Sequence, residues 1–312
     1  MKIVALAGGV GGAKLAEGLA QILTPEDLTI IVNTGDDFEH FGLKICPDLD
    51  TVCYTLAGLA NPQTGWGRLG ETFETLENVC KLGGPSWFNL GDRDLGTHLE
   101  RTRRLREGQP LSQVTRDFCA AWGIRPAVLP MSDDPIPTIV LSDEGELPFQ
   151  EYFVHRRCEP RVNGFRFDGA EEARPAPGVI QAIRGADLIV ICPSNPWVSI
   201  SPILAVPNLK SELKDHPIVA VSPIIGGQAV KGPVVKMYAE LGIEPSALAV
   251  AEHYREFLSG FVFDRVDREL ESQIQQLNVL TLCTETLMAS PAQRKRLAQD
   301  VLKFGKLLLE KQ

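Results

Sequence analysis

Acidic residues are concentrated between positions 33 and 50, just after an apolar run. Four of them form two pairs: Asp36 with Asp37, and Asp48 with Asp50. Carboxylates gathered in one cleft repel one another unless a cation or hydrogen-bond donors offset the repulsion. The pattern therefore indicates Mg²⁺ held between protein oxygens and a phosphorylated substrate. The alternative is a solvated acidic loop in which Asp48 or Asp50 caps a helix that begins near Thr51.

The element that would position the first acidic pair is the apolar run Leu28–Val32, which is typical of a buried parallel strand. Residues 33 to 37 then follow the carboxyl end of that strand. In an open α/β sheet this edge is where ligands bind. The same run is followed by Asn33, not by an acid that would hold a ribose hydroxyl group.

A glycine-rich turn follows the short apolar strand at residues 2 to 7 and opens an amphipathic helix at 13 to 22. Its small residues and the next cation are Gly8, Gly9, Gly11, Gly12 and Lys14. Small residues let backbone N–H groups approach an anion at the positive end of a helix. Lys14 stands where a dinucleotide fingerprint needs glycine, and it follows alanine, so neither that motif nor a P-loop is matched. A tight turn without a ligand is the alternative.

Two further near-continuous apolar runs, at 186 to 192 and 217 to 222, predict strands buried on both faces. Each ends in a small-residue turn, and the candidate phosphate-binding residues of these turns are Ser194, Asn195, Gly226, Gly227 and Lys231. The ends of parallel strands meet at one edge, so we expect these turns, the glycine turn and the acidic stretch to share one crevice. The predicted fold class is α/β, with a Rossmann-like, doubly wound, mainly parallel sheet.

Residues 135 to 175 interrupt this pattern. Alternation at 138 to 142 and again at 147 to 154 predicts a hairpin, and a polar stretch containing proline and glycine follows it. We therefore predict a Rossmann-like core formed by residues 1–134 and 176–312, with an inserted smaller α+β lobe at 135–175.

A polar turn at 89 to 94 contains Asn89 and Arg93, and it leads into an arginine-rich helix. An Asp-Arg-Asp turn is also typical of a self-contained salt-bridge network, and the arginines of a solvated helix face. Nearby loop aromatics are Trp66, Trp87 and Phe88, which are candidates to stack on a ligand ring or to anchor a minor core.

Composition narrows the class of partner. The formal net charge is -9, which argues against nucleic acid as the main partner because phosphate backbones are bound by surplus Lys and Arg. The first residues pass directly into the glycine turn, so we expect neither a signal peptide nor a membrane anchor and a cytoplasmic location.

Several stretches together resemble the 2-phospho-L-lactate transferase (CofD) family of coenzyme F-420 biosynthesis. The matching pieces lie at 8–15, 33–37, 46–52, 90–94, 129–134, 149–153, 193–196 and 219–227, and they include Pro-Asp-Leu-Asp at 47–50 and Leu-Gly-Asp-Arg-Asp at 90–94. Each piece is weak alone, but eight in the right order are very specific. The resemblance implies a Rossmann-like core with an added lobe and a Mg²⁺ requirement. It also implies transfer of a phosphorylated three-carbon acid from a guanosine-diphosphate-linked donor to the deazaflavin Fo, with release of GMP.

Carried over by position, the family pattern places Fo contacts on Asp50 and Asn89. Archaeal members carry lysine or arginine at the position of Asn89, so the uncharged amide of this chain departs from the family pattern. The resemblance also places the guanosine diphosphate against the glycine turn and the turns at 193–196 and 223–227. We expect Asp48 and Asp50 to coordinate Mg²⁺, and either Asp36 or Asp37 to complete the metal site or accept the hydroxyl proton. The cations expected near the phosphates are Lys14, Arg93 and Lys231.

Two other functions fit parts of the pattern. A related bacterial family with the same glycine-rich start consists of non-catalytic, nucleotide-sugar-binding regulators, but it lacks the two acidic motifs at 47–50 and 90–94. An NAD-dependent oxidoreductase is suggested by the glycines but disfavoured by Lys14 and Asn33. The three-carbon acid stays open between phospholactate, phosphoenolpyruvate and phosphoglycerate. A homodimer is one option for the assembly, because dimers are common among such folds.

Overall fold

The computed structural model describes residues 1–229 and 234–310, and its largest element is a seven-stranded parallel sheet. The strands of the protein are β1 (Ile3–Ala7), β2 (Leu28–Val32), β3 (Phe38–His40), β4 (Leu43–Ile45), β5 (Ala127–Pro130), β6 (Thr138–Ser142), β7 (Gly145–Pro148), β8 (Val162–Phe167), β9 (Leu188–Ile191), β10 (Ile218–Val221), β11 (Ile224–Ile225), β12 (Gln228–Ala229), β13 (Gly260–Asp264) and β14 (Leu280–Thr284). The order in the large sheet is β14-β13-β10-β9-β1-β2-β5.

Helices cover both faces of this sheet. They are α1 (Gly9–Ala20), α2 (Pro47–Leu56), α3 (Glu74–Lys81), α4 (Asp92–Arg106), α5 (Leu111–Ala121), α6 (Val179–Arg184), α7 (Ser201–Ala205), α8 (Leu209–Leu213), α9 (Val234–Glu240), α10 (Ala247–Tyr254), α11 (Glu271–Gln275) and α12 (Pro291–Leu309). Short 3₁₀ or π turns occur at Pro25–Asp27, Glu151–His155, Pro196–Ile200 and Arg265–Leu270. Among the described residues, none of the helices has the length and apolar character that crossing a membrane requires.

Strand β1 lies in the middle of the sheet and sets its topology. Ile3 pairs in parallel with Leu28 of β2 on one side and with Leu188 of β9 on the other. The chain first builds outward from β1 to β2 and β5, and it later builds the other half from β9 to β14. The strand order therefore reverses between β1 and β9, and a crevice opens at the carboxyl ends of the strands at such a point. The predicted α/β, doubly wound parallel sheet is confirmed.

The sheet is buried on both faces, which explains the continuous apolar runs. Every residue of β1, β9 and β10 is buried. One core, which includes Leu15 of α1 and Val52 of α2, lies on the face covered by α1, α2 and α12. A second core, which includes Val250 of α10, lies on the opposite face. Parallel sheets need such double coverage.

The excursion from the sheet is a three-stranded antiparallel sheet of order β7-β6-β8, all within residues 135 to 175. The hairpin is present, but its predicted second strand at 147 to 154 is wrong, because β7 ends at Pro148 and a π turn follows at Glu151–His155. Proline removes a ladder donor, so it does not continue a strand. Strand β8 lies in the stretch interpreted as polar and irregular, and it pairs with β6.

The start of α2 also differs from the prediction, and this changes the role of two acids. The helix begins at Pro47, not near Thr51, and Cys46 is its N-cap residue. Proline is favoured in the first helical turn because its missing N–H has no partner there anyway. Asp48 and Asp50 therefore lie inside the first turn, where carboxylates complement the helix dipole.

Candidate functional site

A cavity of about 890 Å³ opens at the carboxyl edge of the sheet. Its described lining includes small residues of the glycine and β9 turns, acidic residues, aromatic residues and cations: Gly8, Gly9, Gly11, Ser194, Asn195, Asp36, Asp48, Asp50, Asp94, Trp66, Phe88, Phe149, Phe153, Lys14, Arg157 and Lys236. The predicted convergence of the loops is therefore observed for the glycine turn, the acidic stretch and the turn after β9. The turn after β10 contributes Ser222, Pro223 and Ile225 to the same wall.

The glycine turn is the first turn of α1 itself, which begins at Gly9. Gly9 has a φ of 62°, in the left-handed region that favours glycine. A Cβ on Gly11 would lie 2.1 Å from the Pro193 carbonyl oxygen, so only glycine lets α1 approach the turn after β9 so closely. Ser194 joins the same two turns, because its Oγ donates to the Gly8 oxygen at 2.8 Å and accepts from the Gly8 N–H at 3.1 Å.

Asp36 and Asp48 meet at one amide group. Nδ2 of Asn33 donates to Oδ1 of Asp36 at 3.0 Å and to Oδ2 of Asp48 at 2.9 Å. Burial raises the pKa of Asp36 well above its ordinary value, and the nearby Asp48 charge raises it further. Burial likewise raises the pKa of Asp48, to about 6, although hydrogen bonds from Asn33 and the Gly9 N–H oppose that shift. Two buried carboxylates facing a cavity favour a cation between them.

Asp37 points away from this pair. Its Oδ2 accepts from Sγ of Cys46 at 3.0 Å and lies 3.2 Å from Nζ of Lys44. Burial raises the pKa of Asp37, and Lys44 partly offsets that effect. Asp37 is not among the described residues that line the cavity.

Asp50 is held by Arg101, one of the α4 arginines for which a solvated helix face was an alternative interpretation. Both carboxylate oxygens of Asp50 accept from the guanidinium of Arg101, and both side chains are buried. Nη1 of Arg101 also lies 3.1 Å from Nδ1 of His98. On the other side of that ring, Nε2 of His98 is 3.3 Å from Oδ1 of Asp94, and the same oxygen accepts from the Tyr54 hydroxyl at 2.6 Å.

The spacing of these polar residues along their helices is a signal that the sequence does contain. Asp94, His98 and Arg101 are spaced i, i+4 and i+7 along α4, which places them on one face of a helix. Asp50 and Tyr54 are spaced i, i+4 on α2. The two stripes face each other. Because helix spacing alone does not say which stripe is buried, the pattern was equally compatible with a solvated face.

The other sequence-predicted residues divide between the cavity and its surroundings. Asn89, Trp66 and Phe88 line it, whereas Trp87 stacks on His155 with ring centroids 5.2 Å apart. The described lining does not include Gly12, Arg93, Gly226 or Gly227. Lys231 lies outside the residues that the structure describes.

Arg93 and Gly226 form hydrogen bonds outside the described cavity lining. Arg93 is exposed, and its guanidinium donates to the Leu69 carbonyl oxygen at 3.0 Å. The Gly226 N–H donates to both carboxylate oxygens of Asp267, at 3.1 and 3.0 Å. Both groups therefore stabilise their own loops.

Two sets of side chains in this cavity are candidates for a cation. One ligand atom each of Asp50, Asp94 and His98 lies within 4.8 Å of the others. The guanidinium of Arg101 already neutralises Asp50 and repels a divalent ion, and imidazole is a poor ligand for Mg²⁺. The expected metal pair Asp48 and Asp50 is separated by two positions on a helix, and such residues do not face each other. The donor set that fits Mg²⁺ best is Asp48 with Asp36.

Comparisons with known proteins agree with this architecture. The family model of the 2-phospho-L-lactate transferase CofD matches residues 3–284. The chain is 44% identical over 313 residues to a phosphoenolpyruvate transferase of Streptomyces griseus subsp. griseus, with 98% of each protein covered. It is 40% identical over 300 residues to a 2-phospho-L-lactate transferase of Methanosarcina mazei, covering 96% of this chain and 99% of that protein.

A solved structure supports the fold alone. A member of the UPF0052 family from Bacillus halodurans is 16% identical, with a TM-score of 0.61 and coverage of 96% of this chain and 98% of that one. The full-length match to a family of transferases confirms the resemblance seen in the motifs and shows that the chain is a transferase. The chain belongs to the 2-phospho-L-lactate transferase (CofD) family.

Proposed function

We propose that this enzyme transfers a phosphorylated three-carbon acid, 2-phospho-L-lactate or phosphoenolpyruvate, from a guanosine-diphosphate-linked donor to the deazaflavin Fo. GMP is released and coenzyme F-420-0 is formed. One observation carries the proposal: a single cavity joins the amino end of α1, with Lys14 beside it, to the buried carboxylates Asp36 and Asp48. The names of the relatives from Streptomyces griseus and Methanosarcina mazei support the two candidate acids.

The donor diphosphate lies against the amino end of α1. Gly8, Gly9 and Gly11 line the cavity there, and Lys14 lies one turn further along the helix. Backbone N–H groups and the helix dipole favour an anion at this end without any side-chain cap. Ser194 and Asn195 complete this side of the cavity.

Asp48 and Asp36 would hold Mg²⁺, which would neutralise negative charge on the donor diphosphate. The raised pKa values of both carboxyl groups support this assignment, because a bound dication offsets the cost of burying a carboxylate and the repulsion from its acidic neighbours. Asn33 orients the two carboxylates through its amide group.

The acceptor occupies the side lined by Trp66, Phe88 and Asn89, where aromatic faces suit a deazaflavin ring. The terminal ribityl oxygen of Fo attacks the phosphorus that bears the acid, a new P–O bond forms, and the bond to the GMP oxygen breaks. Phosphoryl transfer of this kind depends mainly on positioning and charge neutralisation. Asp50, fixed by Arg101, accepts a hydrogen bond from the attacking hydroxyl group and orients it.

The test is to incubate the protein with Fo, Mg²⁺ and each guanylylated donor, and to identify the products by mass. We expect GMP and a phosphodiester of Fo from at least one donor. Asp48→Asn should lower turnover by at least about 100-fold, since it removes a charge that holds the metal. Asp134→Asn, a change outside the described cavity lining, should leave turnover unchanged.

Failure of the wild-type protein to form any Fo adduct with all three donor acids would refute this function. Binding of UDP-sugars without turnover of Fo would instead support the regulator class. Full activity of Asp48→Asn would leave the transferase in place and remove Asp48 from the metal site.

A further inference from the structure

The described charged groups that line the cavity come from several elements of the fold. The described acids, Asp36, Asp48, Asp50 and Asp94, come from the β2 turn and from α2 and α4, all on the core side. Three described lysine or arginine side chains also line it: Lys14 lies on α1 of the core, Arg157 follows the π turn of the inserted lobe, and Lys236 lies on α9. A ligand that carries several anionic groups is oriented by the positions of these cations, because each anion is favoured beside a cation.

Arg157 makes no ion pair or side-chain hydrogen bond anywhere in residues 1–229 and 234–310. Its neighbour Arg156 behaves in the ordinary way and pairs with Glu144 across the lobe. Arg157 and Cys158 have φ values of 49° and 60°, a left-handed conformation that side chains other than glycine rarely adopt. Backbone held in this region is concentrated at ligand sites.

Lys236 is less available than Arg157. Its Nζ lies 2.5 Å from the carboxylate of Glu240 and donates to the Pro160 carbonyl oxygen at 2.9 Å. It also lies over the ring of Tyr152, at 5.7 Å from the centroid. Lys236 therefore braces α9 against the lobe, and Arg157 is the lobe cation left to receive an anion.

We propose that Arg157 binds the carboxylate of the three-carbon acid on the donor. This inference rests on the proposed function and names a residue that selects its substrate. The diphosphate is accounted for by the amino end of α1 and Lys14, so the remaining anion of the donor is the carboxylate. A guanidinium matches the two oxygens of that group in a bidentate pair.

The experiment compares two donors that differ only at this carboxylate. One is the guanosine diphosphate ester of L-lactate, and the other is the isopropyl ester, in which a methyl group replaces the carboxylate. Calorimetry with Mg²⁺ and without Fo measures the affinity of each. The wild-type protein should bind the lactyl donor roughly 10- to 100-fold more tightly, as expected for a charge-assisted hydrogen bond. Arg157→Gln should lose that preference and bind both esters with the affinity that the wild type has for the isopropyl ester. Its affinity for GDP should equal that of the wild type.

Arg156→Gln is the matched control, because it removes the adjacent lobe arginine whose partner is Glu144. It should keep the full preference for the lactyl ester. Preference retained in Arg157→Gln, or equal binding of both esters by the wild type, would overturn the assignment while leaving the transferase function intact. Weaker GDP binding by Arg157→Gln would also overturn it, since that result places the guanidinium on the diphosphate. If the wild-type protein binds neither ester, the proposed function itself fails.

Discussion

Burial makes the Asp48 carboxylate a destabilising charge at neutral pH as long as no cation faces it. Its pKa is raised from 3.8 to about 6, so between those values the native state binds more protons than the unfolded state does. The free energy of unfolding therefore falls as pH rises through this window. A pKa shift of this size lowers the free energy of unfolding at pH 7 by at most about 3 kcal/mol.

Asp48→Asn should remove most of this pH-dependent loss of stability. We expect its thermal midpoint at pH 7 to be higher than that of the wild-type protein without Mg²⁺, and its dependence on pH between 4 and 7 to be flatter. Added Mg²⁺ should raise the midpoint of the wild type at pH 7 but have less effect at pH 4.5, where the carboxyl group is protonated. Calorimetric scans across this pH range check all three points. A midpoint of Asp48→Asn that parallels the wild type at every pH would contradict the assigned pKa.

At the scale of single residues, the sequence predicted which acids gather and left their partners unresolved. Asp36, Asp48 and Asp50 line the cavity, as the acidic motif indicated, whereas Asp37 is not in its described lining and lies beside Lys44. The pairing of Asp50 with Arg101 depends on how α4 packs against β4 and α2, which no local pattern contains. Arg157 lies in a stretch without periodicity, so its exposure to the cavity had no sequence signal at all.

Helices α2 and α4 are joined by a buried ion pair between Asp50, which lines the cavity, and Arg101. Arg101 and Asp50 have side chains only 2% and 7% exposed, so each neutralises a charge that is largely shielded from water. The same helix carries Arg103, which is 54% exposed and pairs with Glu100 and Glu107. These two arginines, two residues apart, therefore differ in burial and not in chemistry.

Arg101→Met should lower the free energy of unfolding by about 3–5 kcal/mol, because it leaves the Asp50 carboxylate buried without its arginine partner. Arg103→Met, the control, should cost less than about 1 kcal/mol. The double variant Asp50→Asn with Arg101→Met should recover much of the stability lost in the single variant, because it removes the unpaired charge. Urea unfolding measures all three. Equal effects of the two arginine variants would show that Asp50 is not desolvated in solution.

At the scale of elements, the sequence predicts strands where burial on both faces makes the residues continuously apolar. Strand β2 has the predicted bounds, and β9 and β10 lie inside the predicted runs. The errors in the predicted bounds occur where a proline begins or ends an element: Pro47 starts α2 and Pro148 ends β7. Strand β8 was missed because Val-Asn-Gly-Phe-Arg-Phe is mostly polar at its centre and is stabilised by pairing with β6.

The inserted lobe shares its small core with the main body of the molecule. Val140, Tyr152 and Val162 of the lobe pack in one cluster with Val198, after β9, and with Met237 of α9. Met237 is fully buried. A lobe that depends on side chains from outside it does not have a core of its own, so it should unfold together with the α/β body.

Hydrogen exchange followed by mass spectrometry tests this at the level of the whole molecule. The slowest amides of β6 and of β9 should open with similar free energies, and Met237→Ala should lower both, by about 2–5 kcal/mol. Leu82→Ala, at a side chain that is 89% exposed, should change neither. A β6 opening energy that is clearly lower than that of β9, and that alone responds to Met237→Ala, would show that the lobe unfolds independently.

For the whole molecule, the order of elements predicted the fold class, and the position of the crevice followed from the topology of parallel sheets. The division between 1–134, 135–175 and 176–312 was drawn from a change in periodicity, which locates an excursion. It does not show whether the excursion has its own core, because that depends on Val198 and Met237 at distant positions.

The contact of α1 with the turn after β9 limits how this enzyme could be redesigned. A methyl group on Gly11 would collide with the Pro193 carbonyl oxygen at 2.1 Å, so a library of variants at that position would return mostly misfolded protein. Efforts to make the enzyme accept another nucleotide ester are better directed to the lobe, where an exposed side chain such as Arg157 can be exchanged without disturbing a neighbour.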